Sequence, residues 1–286
     1  MDQADARVRS RQTALWTFSI ASVLAIGLGA FAMAQEDVPL SIWIRNPVAW
    51  AVAAALSLGL ARFDWLFSVL APIALAIVAA SFIAAGQEGV HRWLDLGPVQ
   101  LNAAALVLPA ALVAFERTRP MIAVPVFALI ALLLAWQPDI SQLAGFAPAA
   151  VILFTVRFGW RGAAAAIAVA GAMLGLCLSR PDPLAPVAHV EGIFALAWSL
   201  SPVLAIAMGV SLGAAALSPL LILLSHRSGV LTPLALAAYF VATALAPFFG
   251  AYPVPLAGYG LSFVLGWWLG LALLAKPAFA GRASSK

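Results

Sequence analysis

The stretch from Pro120 to Ser141, PMIAVPVFALIALLLAWQPDIS, decides what kind of chain this is. Residues 120–136 carry no charge. As an α-helix they would rise about 25 Å, most of the way through a hydrocarbon layer roughly 30 Å thick. Trp136 closes the run, an aromatic ring of the kind that favours the membrane interface. Gln137-Pro138-Asp139 then places two polar groups and a helix breaker in three positions, and the apolar pattern restarts at Ile140. An apolar run, an interfacial ring, a polar turn and a second apolar run describe a chain that crosses a membrane and turns at its surface.

That rhythm repeats from end to end. Of the 286 residues 64% are hydrophobic and only 9% charged, and the mean hydropathy is +1.05. A water-soluble fold of this length could not bury so much apolar surface, so lipid must serve as solvent. Charges, prolines and glycine-containing turns cut the chain into about ten helices, near 14–34, 47–62, 65–85, 100–116, 120–136, 141–158, 162–179, 192–225, 231–249 and 257–276. The segment 192–225 is too long for one upright helix and must tilt or break near Pro202 or Pro219. The fold class expected is all-α, one polytopic transmembrane bundle over residues 1–286, with short tails at 1–13 and 277–286.

Charge fixes the orientation. With both termini in the cytoplasm, Arg7, Arg9, Arg11, Arg62, Arg117, Arg119, Arg157, Arg161, Arg227, Lys276, Arg282 and Lys286 lie inside, and only Arg45, Arg92 and Arg180 lie outside. Inversion would violate the positive-inside rule. Glu36, Asp37, Glu88, Asp95, Asp139, Asp182 and Glu191 then face the outer side. The net charge of +4 reports topology and contact with anionic lipid, not nucleic-acid binding. Arg7–Arg11 ahead of an apolar run ending Ala32-Met33-Ala34-Gln35 also resembles a secretory signal, but the run is long for one and pairs naturally with the next span as a hairpin. Cys177, the single cysteine, reads as a small packing residue. No P-loop, dinucleotide fingerprint, fixed-period repeat or metal-ligand spacing occurs.

Chemistry is left to the outer turns. Arg92 and Asp95 stand three residues apart beside Trp93 and before Gly97-Pro98, so a compact turn could pair them. Arg92 also has the planar fork that suits phosphate. Asp139 follows Pro138 at the start of a helix, where a carboxylate caps favourably. Arg180, Asp182, His189 and Glu191 occupy a short connection stiffened by Pro181, Pro183 and Pro186. A carboxylate held there against the membrane surface could act as a general base. Each feature also fits a structural part: interfacial ion pair, helix cap, solvated acid.

The order of these turns resembles the SEDS family of shape, elongation, division and sporulation proteins, over nearly the whole chain. Arg62-Phe63-Asp64-Trp65 resembles the inner turn after that family's second helix. The segment from Arg92 to Gln100, RWLDLGPVQ, is similar to its arginine-tryptophan loop. Gln137-Pro138-Asp139-Ile140-Ser141 resembles its glutamine-proline-aspartate-leucine-glycine motif. His189-Val190-Glu191-Gly192-Ile193-Phe194-Ala195 resembles its histidine-threonine-aspartate-phenylalanine-isoleucine-phenylalanine-alanine segment. The stretch from Pro253 to Ser262, PVPLAGYGLS, is similar to the proline- and glycine-rich approach to its last helix.

The resemblance implies a bacterial inner-membrane glycosyltransferase that polymerises lipid II, an undecaprenyl-pyrophosphate-linked disaccharide, beside a class B penicillin-binding protein. Glu191 falls at the family's essential aspartate and would be the catalytic base. Arg92, Asp95, Asp139 and His189 would bind substrate. No resident cofactor is implied, although the pyrophosphate admits a divalent cation. The chain also departs from the family. Asn102-Ala103-Ala104-Ala105-Leu106 replaces its charged serine-glutamate-leucine-alanine-lysine, the long outer loop before the base shrinks to 179–190, and the base is Glu rather than Asp. These departures suit the alternative, a catalytically degenerate relative acting as a membrane scaffold or regulator of envelope synthesis. A transporter of lipid-linked precursors is disfavoured, because the helix interiors hold almost no ionisable groups.

Overall fold

The computed structural model describes residues 3–180, 182–225 and 231–276; the expected tail 277–286 lies outside them. The helices are α1 (Gln3–Gln35), the short α2 (Leu40–Trp43), α3 (Arg45–Leu60), α4 (Leu66–Ala80), α5 (Ala103–Ala114), α6 (Pro120–Trp136), α7 (Ile140–Leu178), α8 (Ile193–Leu200), α9 (Pro202–Leu217), α10 (Thr232–Leu245) and α11 (Leu261–Leu274). α1, α7, the segment Leu66–Ile83 and the segment Pro202–Leu224 are each long and apolar enough to cross a membrane. The chain is a multi-pass helical membrane protein.

α7 turns back on itself. Gly159 has φ 66° and ψ −157°, a left-handed conformation that glycine adopts without penalty. The far end of α7 returns to the level of its start, where Arg180 Nη1 donates to the Trp136 carbonyl at 3.1 Å. The two expected helices 141–158 and 162–179 are the arms of this reversal. The expected break in 192–225 falls at Ser201, whose extended backbone (φ −167°, ψ 127°) separates α8 from Pro202, the first residue of α9. Proline tolerates that position because the N–H it lacks would have been unpaired there.

Three expectations are corrected. The helix expected from 100 begins at Ala103, because Gln100–Asn102 (β2) pairs antiparallel with Trp93–Asp95 (β1). The last helix begins at Leu261, since residues 251–260 form turns. α1 packs chiefly along α9 and the 3₁₀ segment Ser218–Ser225, more than against the second span, and its helix already starts at Gln3, inside the expected tail 1–13.

The centre of the bundle is α5 against α11. Nearly every side chain of α5 is buried, as is most of α11. Small residues let the two approach: a β-carbon on Gly266 would overlap the carbonyl oxygen of Ala105, and one on Gly270 would lie 2.6 Å from Pro109 Cβ. Close backbone contact of this kind replaces the hydrophobic driving force that lipid removes. Around this pair, Phe18, Phe240, Trp267 and Trp268 form an aromatic cluster, with Phe240 stacked on Trp267 at 4.1 Å and Phe18 edge-on to Trp268 at 5.1 Å.

Candidate functional site

Above α5 and α11, at the outer end, the loops enclose a cavity of about 590 Å³. Arg92, Asp139, Asp182 and Glu191 all line it, together with Asn102 and Tyr259. Three expected site residues are thereby brought together from three distant segments.

Arg92 sits at the end of a buried polar chain. Gln137 Nε2 donates to Ser81 Oγ at 2.6 Å, and Ser81 Oγ donates to the His91 carbonyl at 2.8 Å. The Gln137 and Pro138 carbonyls take hydrogen bonds from Arg92 Nε at 3.2 Å and Nη2 at 2.5 Å. The guanidinium, only 7% exposed with its residue, is aimed by backbone on one side. On the other it meets a carboxylate: Arg92 Nη2 lies 2.7 Å from Asp182 Oδ2.

That contact corrects the sequence reading, which paired Arg92 with Asp95. The β1–β2 hairpin turns at Gly97 (φ 79°) and points Asp95 outward. Its Oδ1 accepts the Gly97 N–H at 2.9 Å, and Asp95 is exposed and outside the cavity lining. A charge three residues away in a hairpin leans off the other strand end, whereas Asp182 arrives from the connection after α7.

Asp139 caps α7 as expected. Its Oδ1 accepts from Ser141 Oγ at 3.0 Å and from the Gln142 N–H at 3.3 Å. Its Oδ2 accepts from Asn102 Nδ2 at 3.1 Å. Asn102 serves two helices, since its Oδ1 caps α5 by accepting the Ala105 N–H at 2.8 Å. The sequence signal for Asn102 was present in a polar residue directly before an alanine-rich apolar run.

Glu191 is half-buried in the turn before α8. Its Oε2 accepts the Val187 N–H at 2.7 Å. Burial raises its pKa above the ordinary glutamate value, and the charge of Asp182 pushes the same way, against the Val187 hydrogen bond and Arg92. The last outer loop clamps this turn: the Tyr259 N–H donates to the His189 carbonyl at 2.8 Å, and the Val254 N–H to the Val190 carbonyl at 3.2 Å. A β-carbon on Gly258 would overlap that Val190 carbonyl. The loop is itself held by Asn46, whose Nδ2 donates to the Leu256 and Gly258 carbonyls at 3.2 and 2.8 Å. His189 contributes its backbone here; its ring, with a pKa lowered by burial, is not part of the cavity lining.

Sequence reasoning did not single out Arg45. It donates from Nη1 to Tyr259 Oη at 3.0 Å and to the Pro98 carbonyl at 3.2 Å, joining the hairpin to the last loop at the cavity mouth. The lining holds two guanidiniums, Arg45 and Arg92, and four carboxylates, Glu88, Asp139, Asp182 and Glu191. Among the described residues no three His, Cys, Asp or Glu side chains gather in a metal-binding group. The arrangement offers one aimed guanidinium, one half-buried carboxylate whose Oε1 is not tied to the Val187 N–H, and a polar floor between them.

No family model matches the sequence, and no curated protein does. Solved structures match well. The rod shape determining protein RodA of Thermus thermophilus is 21% identical, with a TM-score of 0.63 over 91% of this chain and 94% of that one. An aspartate-to-alanine variant of the same RodA is 19% identical, also at 0.63, covering 91% and 95%. A chain from a peptidoglycan synthase complex that coordinates polymerization and crosslinking is 19% identical, at 0.59, covering 91% and 96%. The chain has the RodA fold, and the SEDS resemblance carried by the ordered outer turns holds at the level of the whole bundle.

Proposed function

We propose that this protein is a SEDS-type glycosyltransferase of the bacterial inner membrane that extends a glycan strand from lipid II. The observation that carries the proposal is the convergence of Arg92, Asp139 and Glu191 on one outer cavity in a chain with the RodA fold. Glu191 takes the proton of an acceptor sugar hydroxyl as that oxygen bonds to the anomeric carbon of the donor. The bond from that carbon to the pyrophosphate oxygen breaks, and the polyprenyl pyrophosphate leaves with the electron pair. A raised pKa suits Glu191 to this work, because a more basic carboxylate accepts a proton from a hydroxyl more readily than an ordinary one does. Arg92, held by backbone carbonyls before substrate arrives, neutralises charge on the leaving group once the pyrophosphate takes the place of Asp182 on it. Asp139, committed to capping α7 and to Asn102, shapes the floor. With four carboxylates against two guanidiniums in the lining, a divalent cation accompanying the pyrophosphate would offset the excess negative charge. A class B penicillin-binding protein is the proposed partner, in keeping with the synthase complex among the structural matches.

One observation favours the second reading, a non-catalytic scaffold of the envelope machinery. Asp182 already occupies the anion position on Arg92 at 2.7 Å, and it comes from the connection that is short in this chain. The deciding experiment is polymerisation of fluorescent lipid II by the purified protein, alone and with a class B penicillin-binding protein. Polymer from wild type and none from Glu191→Gln supports the enzyme. No polymer from folded wild-type protein under either condition supports the scaffold.

A further inference from the structure

At the opposite end of the bundle lies a second cationic feature that neither the cavity nor its chemistry uses. Arg7 and Arg11 are four residues apart near the start of α1 and so share one face of that helix. Arg11 is only 6% exposed. Its Nε and Nη2 are buried without a hydrogen-bond partner, and so is Nε of Arg7. Neither residue makes a salt bridge among the described residues.

Such an arrangement is costly as it stands. A buried guanidinium without a counter-charge loses hydration and gains nothing in return, and its neighbour here carries the same sign, with Arg7 acting on Arg11. Three buried nitrogens without a hydrogen-bond partner, on two planar forks that share one helix face, offer the kind of N–H donors that phosphate oxygens accept from. The position narrows the source. Both arginines lie at the cytoplasmic end by the charge asymmetry of the chain, where anionic lipid headgroups are concentrated. Arg9 is the internal contrast: it belongs to the same helical turn but is exposed.

We propose that Arg7 and Arg11 form a phosphate-binding site at the inner end of α1, occupied by the headgroup of an anionic lipid. The full-length protein, delipidated in neutral detergent, is titrated with phosphatidylglycerol, with phosphatidylcholine and with inorganic phosphate, and thermal stability is the readout. Titrations are run at low salt and at roughly 1 M salt, where screening acts over about 3 Å. Phosphatidylglycerol should stabilise wild type and phosphatidylcholine should not. Arg11→Ala should weaken that response about tenfold or more at both salt concentrations, the scale of a charge-assisted hydrogen bond. Arg9→Ala should weaken it about fivefold or less at low salt and not at all at high salt, as a diffuse surface charge does. Arg7→Ala gives an independent reading if Arg11→Ala folds poorly. A response to inorganic phosphate with the same arginine dependence keeps the site and makes free phosphate its ligand. Equal losses from Arg9→Ala and Arg11→Ala, or equal responses to the two lipids, would overturn the proposal.

Discussion

The two ends of the bundle hold similar polar residues and use them differently. At the outer end, Arg92 is oriented by the carbonyls of Gln137 and Pro138 and faces Asp182 across a cavity. At the inner end, Asp64 in the turn after α3 lies 2.9 Å from Lys276 and 3.5 Å from Arg117. Both cations lie over the Phe67 ring, Arg117 at 4.2 Å and Lys276 at 5.4 Å. Glu116 accepts from Thr232 Oγ1, and Arg157 donates to the Phe115 carbonyl at 2.7 Å. These inner charges tie the ends of α5, α10 and α11 to one another through side-chain and backbone contacts. The outer charges are aimed by backbone into space that a substrate could fill. Aim and vacancy distinguish a site from a clamp, and a count of charges does not.

The largest consequence concerns Glu191. Glu191→Gln keeps the shape and can still accept the Val187 N–H, so thermal stability should hold while lipid II polymerisation falls by about 10²–10⁴-fold, the usual contribution of a positioned base. The acid limb of the wild-type pH–rate profile should lie above the ordinary glutamate range, because burial and then Asp182 raise the pKa and only the ionised form is the base. An acid limb at the ordinary glutamate value would remove Glu191 from that role. Next is Arg92→Ala, which strands Asp182 and the two carbonyls. It should cost about 2–4 kcal/mol, as breaking a largely buried ion pair does, and should abolish polymerisation as well. Loss of activity with no change in unfolding temperature would show that the guanidinium serves substrate alone.

The legible parts of this molecule were those that lipid dictates. The run of apolar helices and the break before Pro202 follow from apolar length and proline stereochemistry, each a local property of the sequence. The reversal at Gly159 was legible as a turn for the same reason. The site was half legible. Arg92, Asp139 and Glu191 stood out as polar groups in outer turns, and their convergence was carried by the order of the motifs. The partner of Arg92 was not legible, because Asp95 is near in sequence and Asp182 is near only after α7 has doubled back. Arg45 and Asn46 were missed because their partners, Tyr259 and the carbonyls of Leu256 and Gly258, lie over 200 residues away. No local pattern marks a side chain that holds a distant loop.

A smaller effect tests whether the cavity floor is structural. Asn102→Ala removes the cap of α5 and one hydrogen bond to Asp139 at once. Loss of a cap alone costs about 1 kcal/mol, and the freed carboxylate oxygen of buried Asp139 adds to it. A loss of about 1–2 kcal/mol in denaturant unfolding is expected, against a smaller change for Asn102→Ser, which retains a cap acceptor without placing a second carboxylate beside Asp139. Equal losses from the two would mean that the bond to Asp139, and not the cap, is what Asn102 contributes.

The smallest effect belongs to the inner clamp. Hydrogen bonding to Lys276 lowers the pKa of Asp64, with the charges of Lys276 and Arg117 acting in the same direction. A depressed carboxylate pKa stabilises the fold above the unfolded value, and that contribution is lost as pH falls through the folded one. The Asp64 side chain is nevertheless open to solvent, so water and salt screen the pair. Asp64→Asn should therefore leave the unfolding temperature unchanged within measurement error at physiological salt, with any difference appearing only at low ionic strength and vanishing under acid. Arg117 and Lys276 keep their place over Phe67 in the variant, because the ring attracts them without the carboxylate. A marked loss of stability from Asp64→Asn at physiological salt would reverse this ranking, since it would place a strong interhelical bond at a solvent-exposed charge.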